Sequence, residues 1–343
     1  MASVSGGASV AADAPGDRYR ISVCTDGAAL DRALAADVSA GLTSLPKDLP
    51  PKWFYDDEGS RLFGEITRLA EYYPTRREHE ILRRVAPDVA ARSGAGTLVE
   101  LGSGFSDKTR LLLDAMAGAG ILRKFVPFDV NEAALRATAS GAAAAYPALS
   151  VHGVVGEFGK DLRAVPRGGR RLVALLGGTI GNFTGPERRA FLAEIAGMSD
   201  AGETFLLGAD LVKDRARLLA AYDDAAGVTA QFNRNVLHVI NRRLDADFDP
   251  QRFTHVATYD EETQWVEMWL RADGPQVVHV RRLGLRVTFG DGEAMRTEVS
   301  AKFRPSQIAA ELSEAGFAVM SQWLDDAGDF SLTLAERVDG AKP

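Results

Sequence analysis

The sequence predicts an α/β protein: a mostly parallel sheet with helices on both faces, interrupted by a second α+β unit. Three observations carry this. Short apolar runs at residues 97–101, 124–129, 149–154, 172–176 and 204–208 alternate with helix-like segments at 107–117, 132–144 and 186–198. Such alternation demands right-handed crossovers and so a parallel sheet covered on both faces. The rhythm breaks near Lys213, where helical and then alternating polar–apolar segments take over. The chain finally returns to a helix-like "RPSQIAAELSEAGF" and two strands joined by an Asp/Gly turn.

Taken in order, residues 1–18 are small and polar without periodicity and read as a disordered tail. Residues 26–42 read as a helix, with Leu30, Leu34 and Val38 four apart. The proline-broken loop "LPKDLPPKWFYDDEGS" follows, then a short helix through Leu62, Phe63 and Ile66. After Pro74, Thr75 and Glu78 match a T-x-x-E capping box, opening a helix to about Ala91. Beyond the alternating part, "DRARLLAAYDDAAGVTAQFNRNVLHVINRRL" reads as one long helical stretch. The segments around "FTHVATYD", "QWVEMWLRA", "QVVHVRRLGLRVTF" and "RTEVSAKF" read as an antiparallel sheet.

Five alternating strands plus a terminal hairpin make seven. That count selects the class I methyltransferase, seven-strand Rossmann-like sheet, whose last strand is antiparallel, with an inserted second α+β substrate-binding domain. A dinucleotide fold has six parallel strands instead. The expected division is residues 24–76 with 213–302 as the substrate-binding domain, and 77–212 with 303–343 as the methyltransferase domain.

Composition narrows the function classes. A formal charge of -7 argues against nucleic acid or an anionic membrane as partner. The single cysteine, Cys24, rules out an internal disulfide and a cysteine-cluster metal site. The five histidines stand singly, without metal-ligand spacing, so no metal is expected. No apolar leader or long apolar run appears, and a cytoplasmic enzyme acting on a small molecule is the default expectation.

The first strand of the alternating part runs into "ELGSGFSDK". Its glycines are Gly102 and Gly104, and Asp107 stands where a dinucleotide fingerprint wants a third glycine. What remains is E-x-G-x-G, a turn that lets backbone approach a ligand closely. Asp129 ends the next strand, where a carboxylate suits two ribose hydroxyls. Lys108, at a helix N-terminus, suits the carboxylate of an amino-acid end. Glu157 and Phe158, after the third strand, suit adenine. An ordinary strand–helix turn would also explain the two glycines, and a helix N-cap would explain Asp129. All of them falling in one frame, with the terminal hairpin present, reads as S-adenosylmethionine binding. At the end of the fourth strand stands "LLGGTIGNF", the usual place for a methyl acceptor, where Asn182 suits an amine or carboxylate. A turn asparagine capping the next helix explains Asn182 equally well.

The strings "LPPKWFYD", "EYYPTR", "VELGSGFSDKTRLLLDAM", "PFDV", "LGGTIGNF", "LVKDRARLLAAYDDAAGVTAQFNRNVL", "EMWLRA" and "TEVSAKFRP" together resemble the histidine N-alpha-methyltransferases of ergothioneine biosynthesis. The resemblance runs from about Leu30 to the final hairpin. It implies three methyl transfers from S-adenosylmethionine to the α-nitrogen of free L-histidine, giving the betaine hercynine, with S-adenosylhomocysteine as by-product. It also implies that Tyr55, Gly102, Lys108, Asp129, Glu157 and Phe158 face the cofactor. Tyr72, Gly177, Asn182 and Tyr222 would hold the amino-acid backbone, and Met268, Glu298 and Ser300 the imidazole. Gly178, Glu157 and Phe105 depart from the family pattern, which has small polar residues at the first and last and Asp at the second.

The imidazole assignments make physical sense. Glu298 and Ser300, two apart on a strand, share a face, and Glu298 can accept an imidazole N–H. On its own, Met268 suits a core position, and Glu298 and Ser300 suit a solvated strand face. An indole acceptor, as in tryptophan, is the alternative, and it has little use for Glu298. Because a sulfonium methyl is already activated, the expected catalysis is alignment of the amine by Asn182, Gly177, Tyr55 and Tyr72, with no dedicated general base.

Overall fold

The computed structural model describes residues 19–103 and 107–338; the tail 1–18, Gly104 and Phe105 lie outside the described residues. The chain begins with β1 (Tyr19–Val23), α1 (Gly27–Thr43), β2 (Lys47–Asp48), α2 (Asp57–Ile66) and α3 (Pro74–Ser93). The alternating part is β3 (Thr97–Leu101), α4 (Asp107–Gly118), β4 (Lys124–Asp129), α5 (Glu132–Ala145), β5 (Ser150–Val155), β6 (Arg171–Leu175), α6 (Gly185–Met198) and β7 (Thr204–Asp210). The interruption holds α7 (Arg215–Tyr222), α8 (Val228–Leu244), β8 (Phe253–Asp260), β9 (Trp265–Ala272), β10 (Gln276–Val280), β11 (Leu285–Phe289) and β12 (Ala294–Ala301). The closing elements are α9 (Pro305–Glu314), β13 (Phe317–Leu324) and β14 (Phe330–Arg337).

The main sheet has the order β1-β5-β4-β3-β6-β7-β14-β13. Its pairs are parallel except that β14 runs antiparallel to both neighbours. Every residue of β3, β6 and β7 is buried, which is why these strands read as continuous apolar runs rather than alternating ones. From β3 the chain works outward to β5 and then returns to β6 on the other side. The carboxyl ends of β3 and β6 therefore flank a topological switch point, where ligands of open α/β sheets bind.

Four sequence expectations need correction. The sheet has eight strands, because β1 adds in parallel to the β5 edge. The predicted long helix is two helices, α7 and α8: Gly227 adopts a left-handed φ of 71°, and the Asp224 carboxylate accepts the Val228 and Thr229 N–H groups at 3.0 and 2.7 Å, starting a new helix there. The segment "QVVHVRRLGLRVTF" is a hairpin of β10 and β11, turned at left-handed Gly284 and separate from the four-stranded sheet β2-β12-β9-β8. The Thr75/Glu78 capping box is not made; α3 starts at Pro74 without a side-chain cap, and Glu78 is wholly buried elsewhere.

Buried side chains form three clusters. One draws on residues 34–73 and 218–295, and the other two line the two faces of the main sheet. Within the first, α7 and α8 pack on β8 and β9. No helix among the described residues is long and apolar enough to cross a membrane.

Candidate active site

At the carboxyl end of β3, Gly102 takes a left-handed φ of 73°, and a Cβ there would point at the Phe158 ring 3.8 Å away. Phe158 stacks on Phe128 with centroids 5.6 Å apart and planes 12° from parallel, so an apolar wall stands beside the glycine turn. Asp129, half-buried at the end of β4, accepts the Asn131 N–H at 2.8 Å. Burial pushes its carboxyl up to about 6, against the pull of the Asn131 and Val130 N–H groups. The helix N-cap is Asn131 rather than Asp129, and beyond the Asn131 and Val130 N–H groups the Asp129 carboxylate keeps acceptor capacity for a ligand. Glu157 is paired with Lys52 and with Lys160 (2.5 Å), which hold its carboxyl below the usual range although burial opposes them. It ties the aromatic loop to the sheet.

Lys108 pairs with the buried Glu78 carboxylate. The two oxygens of Glu78 also accept the Gly177 N–H at 2.8 and 2.9 Å. Gly177 and Gly178 have φ of 80° and 71°, a left-handed pair in which any other residue would be strained. The turn that follows packs directly on β12: a Cβ on Gly181 would lie 2.8 Å from the Ala301 carbonyl oxygen. That close approach carries Asn182 to Glu298. The Asn182 amide donates to Glu298 Oε1 and to the Val299 carbonyl, both at 3.0 Å. Asn182 does not cap α6, whose capping box is Thr184 with Glu187. Burial pushes the Glu298 carboxyl up to about 7, although the Asn182 hydrogen bond and the Lys302 charge pull it down.

A β-bulge in β12 sets this orientation. Arg296 pairs with Trp269 and Glu298 with Met268, so the register shifts at Thr297. In a regular strand Arg296 and Glu298 would share a face. The bulge turns Arg296 outward, over Trp269 and onto Glu267 at 3.1 Å, and turns Glu298 to the face of Met268. Met268 itself is 1% exposed and packed in the core. The Ser300 and Tyr222 hydroxyls meet at 2.7 Å. Tyr222, Tyr72, Phe63 and Tyr55 form a chain of edge-on rings, with centroids 6.5, 6.0 and 5.6 Å apart. Tyr55 keeps 39% of its surface exposed, yet burial first and the Glu298 charge second push its phenol up. Burial likewise raises Tyr72 and Tyr222.

The predicted residues thus fall into two groups beyond the sheet's carboxyl edge. Gly102, Asp129 and Phe158 lie at β3–β5, while Asn182, Glu298, Ser300, Tyr222, Tyr72 and Tyr55 gather against β12 and α7. Glu78 links the groups through Lys108 and Gly177, and Asn131 does so through its amide, 3.4 Å from the Tyr55 carbonyl.

Residues 34–337 match the family described as histidine-specific methyltransferase, SAM-dependent. The chain belongs to that family. It is 56% identical over 305 residues to the histidine N-alpha-methyltransferase of Mycobacterium tuberculosis, covering 89% of this chain and 95% of that protein. The protein of the same name from Mycolicibacterium smegmatis is 55% identical over the same shares. Ergothioneine biosynthesis protein 1 of Schizosaccharomyces pombe is 28% identical across 82% of this chain, which matches only 38% of that longer protein.

In this methyltransferase, several residues around the site escape sequence reasoning. Glu78 matches a helix cap locally but is buried against Lys108 and Gly177. Asp210, ending β7, accepts hydrogen bonds from the Tyr73 hydroxyl at 2.8 and 3.0 Å and pairs with Lys213 and Lys302. His255, held neutral because burial lowers its pKa, meets Asn233 and the Tyr222 carbonyl, each at 2.8 Å. The Glu100 carboxyl, raised to about 7 by burial, accepts hydrogen bonds from Ser103 and Thr109 and braces the glycine turn. A charged residue inside an apolar strand, as with Glu100, was the one available signal.

Proposed function

We propose that the chain transfers methyl groups from S-adenosylmethionine to the α-amino nitrogen of L-histidine, three times in succession, giving hercynine as the first step of ergothioneine biosynthesis. The relatives' names support the reaction. The observation that carries the choice of histidine is the Asn182–Glu298 hydrogen bond, which joins the acceptor position at the end of β6 to an acid on β12. An acid there accepts an imidazole N–H and has no use for an apolar side chain.

The residues at β3–β5 fit the cofactor. The free acceptor capacity of Asp129 suits ribose hydroxyls, and the Phe158 wall beside Gly102 suits a purine. Lys108, Glu157, Tyr55 and Gly104 complete the proposed contacts; Lys108 and Glu157 do so from within ion pairs. When bound, the cofactor supplies a methyl group on a sulfonium centre. Asn182, the Gly177 carbonyl, Tyr55 and Tyr72 accept amine hydrogens and aim the lone pair, which is catalysis by orientation. With Tyr55 and Tyr72 phenols raised, both stay protonated and neutral near pH 7. Glu298, Ser300 and Met268 receive the ring, Tyr222, whose hydroxyl meets Ser300 at 2.7 Å, joins Tyr72, Gly177 and Asn182 at the amino-acid backbone, and no metal takes part. Segments 24–76 and 213–302 act as the substrate-binding domain over the methyltransferase domain 77–212 and 303–343.

The test is to incubate the purified protein with S-adenosylmethionine and each common amino acid and to follow products by mass spectrometry. Histidine heavier by three methyl groups, with nothing from tryptophan, is expected. Binding of S-adenosylhomocysteine without methylation of any amino acid would overturn the acceptor assignment.

A further inference from the structure

Behind Ser300 and Tyr222 lies a lysine that the alignment mechanism does not use. The side chain of Lys302 is wholly buried, and its ammonium meets three acceptors: Tyr222 Oη, Ser300 Oγ and Asp210 Oδ2, each at 2.8 Å. An ammonium has three donors and no acceptor, so all three are spent. Asp210 is the fixed counter-charge. Although burial opposes it, Lys302 and Lys213 hold its carboxyl below the ordinary range.

Counting protons then fixes what the hydroxyl pair can do. Both oxygens accept from Lys302, and they are 2.7 Å from each other. One of their two protons lies between them, leaving a single outward O–H. A phenol is the stronger acid and a serine oxygen the better acceptor, so Tyr222 donates to Ser300 and the outward proton belongs to Ser300. Glu298 stands two residues earlier on the same face.

We propose that Lys302 is a positioning residue that makes Ser300 an obligate donor, so that the site takes the neutral imidazole, one nitrogen bare toward Ser300 and the other donating its N–H to Glu298. This rests on the histidine reading above. An imidazolium, with protons on both nitrogens, meets a donor at Ser300 and is refused. Removing the lysine frees a lone pair on Ser300, which then accepts a second ring N–H and admits the cation. The charged and titratable groups facing this assembly are Asp210 and Lys213 beyond β7, Tyr72 and Tyr73 before α3, Tyr55 before α2, Tyr222 ending α7, His255 and Tyr259 on β8, and Glu298 on β12.

Two measurements on the full-length protein test it. The first is 15N NMR of ring-labelled histidine bound to the wild type with S-adenosylhomocysteine at pH 6, where free histidine is largely imidazolium. One protonated and one bare nitrogen are expected; two protonated nitrogens would refute the proposal. The second is calorimetry of histidine binding to the same complex in buffers of different ionisation enthalpy, for wild type and Lys302→Met. The variant is expected to release fewer protons, by about half a proton or more at pH 6 to 6.5, and to bind histidine several-fold more weakly at pH 8. Equal proton release, with S-adenosylhomocysteine affinity unchanged, would overturn the role of Lys302. If Lys302→Met fails to fold, the NMR result on the wild type decides the ring's protonation state. Failure of the wild-type complex to bind histidine at all would instead sink the proposed function.

Discussion

Glu78→Ala should damage both stability and cofactor binding. The carboxylate is fully buried and accepts the Gly177 N–H and the Lys108 ammonium. Breaking a buried ion pair by deleting one partner costs about 3–5 kcal/mol. Two features reduce that here. The Lys108 side chain keeps 13% exposure and reaches water, and Gly177 is exposed, so its N–H is rehydrated once the acceptor is gone. A charge-assisted hydrogen bond is worth about 1.5–3 kcal/mol, and the expected loss is therefore about 2–3 kcal/mol. Glu78→Gln keeps an acceptor for Gly177 and should cost roughly half as much. Urea unfolding reads the stability, and calorimetry with S-adenosylhomocysteine reads the site, where about a tenfold weakening is expected once Lys108 and the Gly177 turn lose their shared anchor. Gly208 offers an independent check, since a Cβ there would come within 2.1 Å of Glu78 Oε1. Gly208→Ala should thus be costly in the wild type and markedly less so beside Glu78→Ala, a non-additive pair. Stability within about 0.5 kcal/mol of wild type for Glu78→Ala, together with unchanged affinity and additive effects, would refute the reasoning.

Three further outcomes are expected. On the proposed reading the ionised Glu298 carboxylate is the strong acceptor for the imidazole N–H; with its carboxyl raised to about 7, histidine binding to the S-adenosylhomocysteine complex should weaken between pH 7.5 and 6 by about eightfold from Glu298 and about fourfold more as free histidine becomes imidazolium, roughly thirtyfold together. Glu298→Gln should lose part of that slope, as calorimetry at the two pH values would read. Gly181→Ala places a Cβ against the Ala301 backbone at 2.8 and 3.2 Å, so it should push the Asn182 turn off β12, cost about 1–3 kcal/mol and reduce turnover more than S-adenosylhomocysteine binding. Arg171→Met leaves Glu203 buried without its guanidinium partner, contacted at 2.6 and 2.5 Å, and should lower unfolding stability by about 3–5 kcal/mol while cofactor affinity holds, because the pair sits at the amino end of β6.

The parts of the fold that could be read from the sequence are those where burial on both faces writes itself as unbroken apolar runs, as in β3, β6 and β7. β1 carries no such mark: "YRISV" is an edge strand with one buried residue, beside a polar tail. The bulge at Thr297 was invisible for another reason. Its cause is tertiary, since the threonine hydroxyl is held by Asn233 Oδ1 at 2.7 Å and the Met268 carbonyl at 3.0 Å. Glu78 shows how a local pattern misleads. T-x-x-E matches a capping box, yet the bare Gly208 leaves space for the carboxylate to turn inward, where the Lys108 ammonium and the Gly177 N–H hold it more strongly than an exposed cap would. Lys302 carries no local mark of its burial, because its counter-charge Asp210 is distant in sequence.

Asp210 has a further significance, because three passages of chain between the buried clusters meet at it. Tyr73 lies where the chain leaves the first cluster for α3, Lys213 where it leaves β7, and Lys302 where it returns from β12. The Tyr73 hydroxyl also accepts from Lys213 at 2.7 Å, closing the cluster on itself. Desolvation offsets most of the Coulombic gain of such a buried cluster, so it adds little net stability. Its contribution is geometric: a charged hydrogen bond has direction, whereas apolar contact between the clusters would tolerate sliding. Ser300 and Tyr222 hydrogen-bond Lys302 at 2.8 Å and Glu298 lies two residues before Ser300 on β12, so the groups proposed to hold the ring stand beside the carboxylate that ends β7 of the main sheet. A shift of β12 against β7 would break the Lys302–Asp210 contact together with the backbone hydrogen bonds from the Phe303 N–H to Asp210 and from the Val212 N–H to Phe303. On the proposed reading, the alignment that methyl transfer requires is set where β12 meets β7.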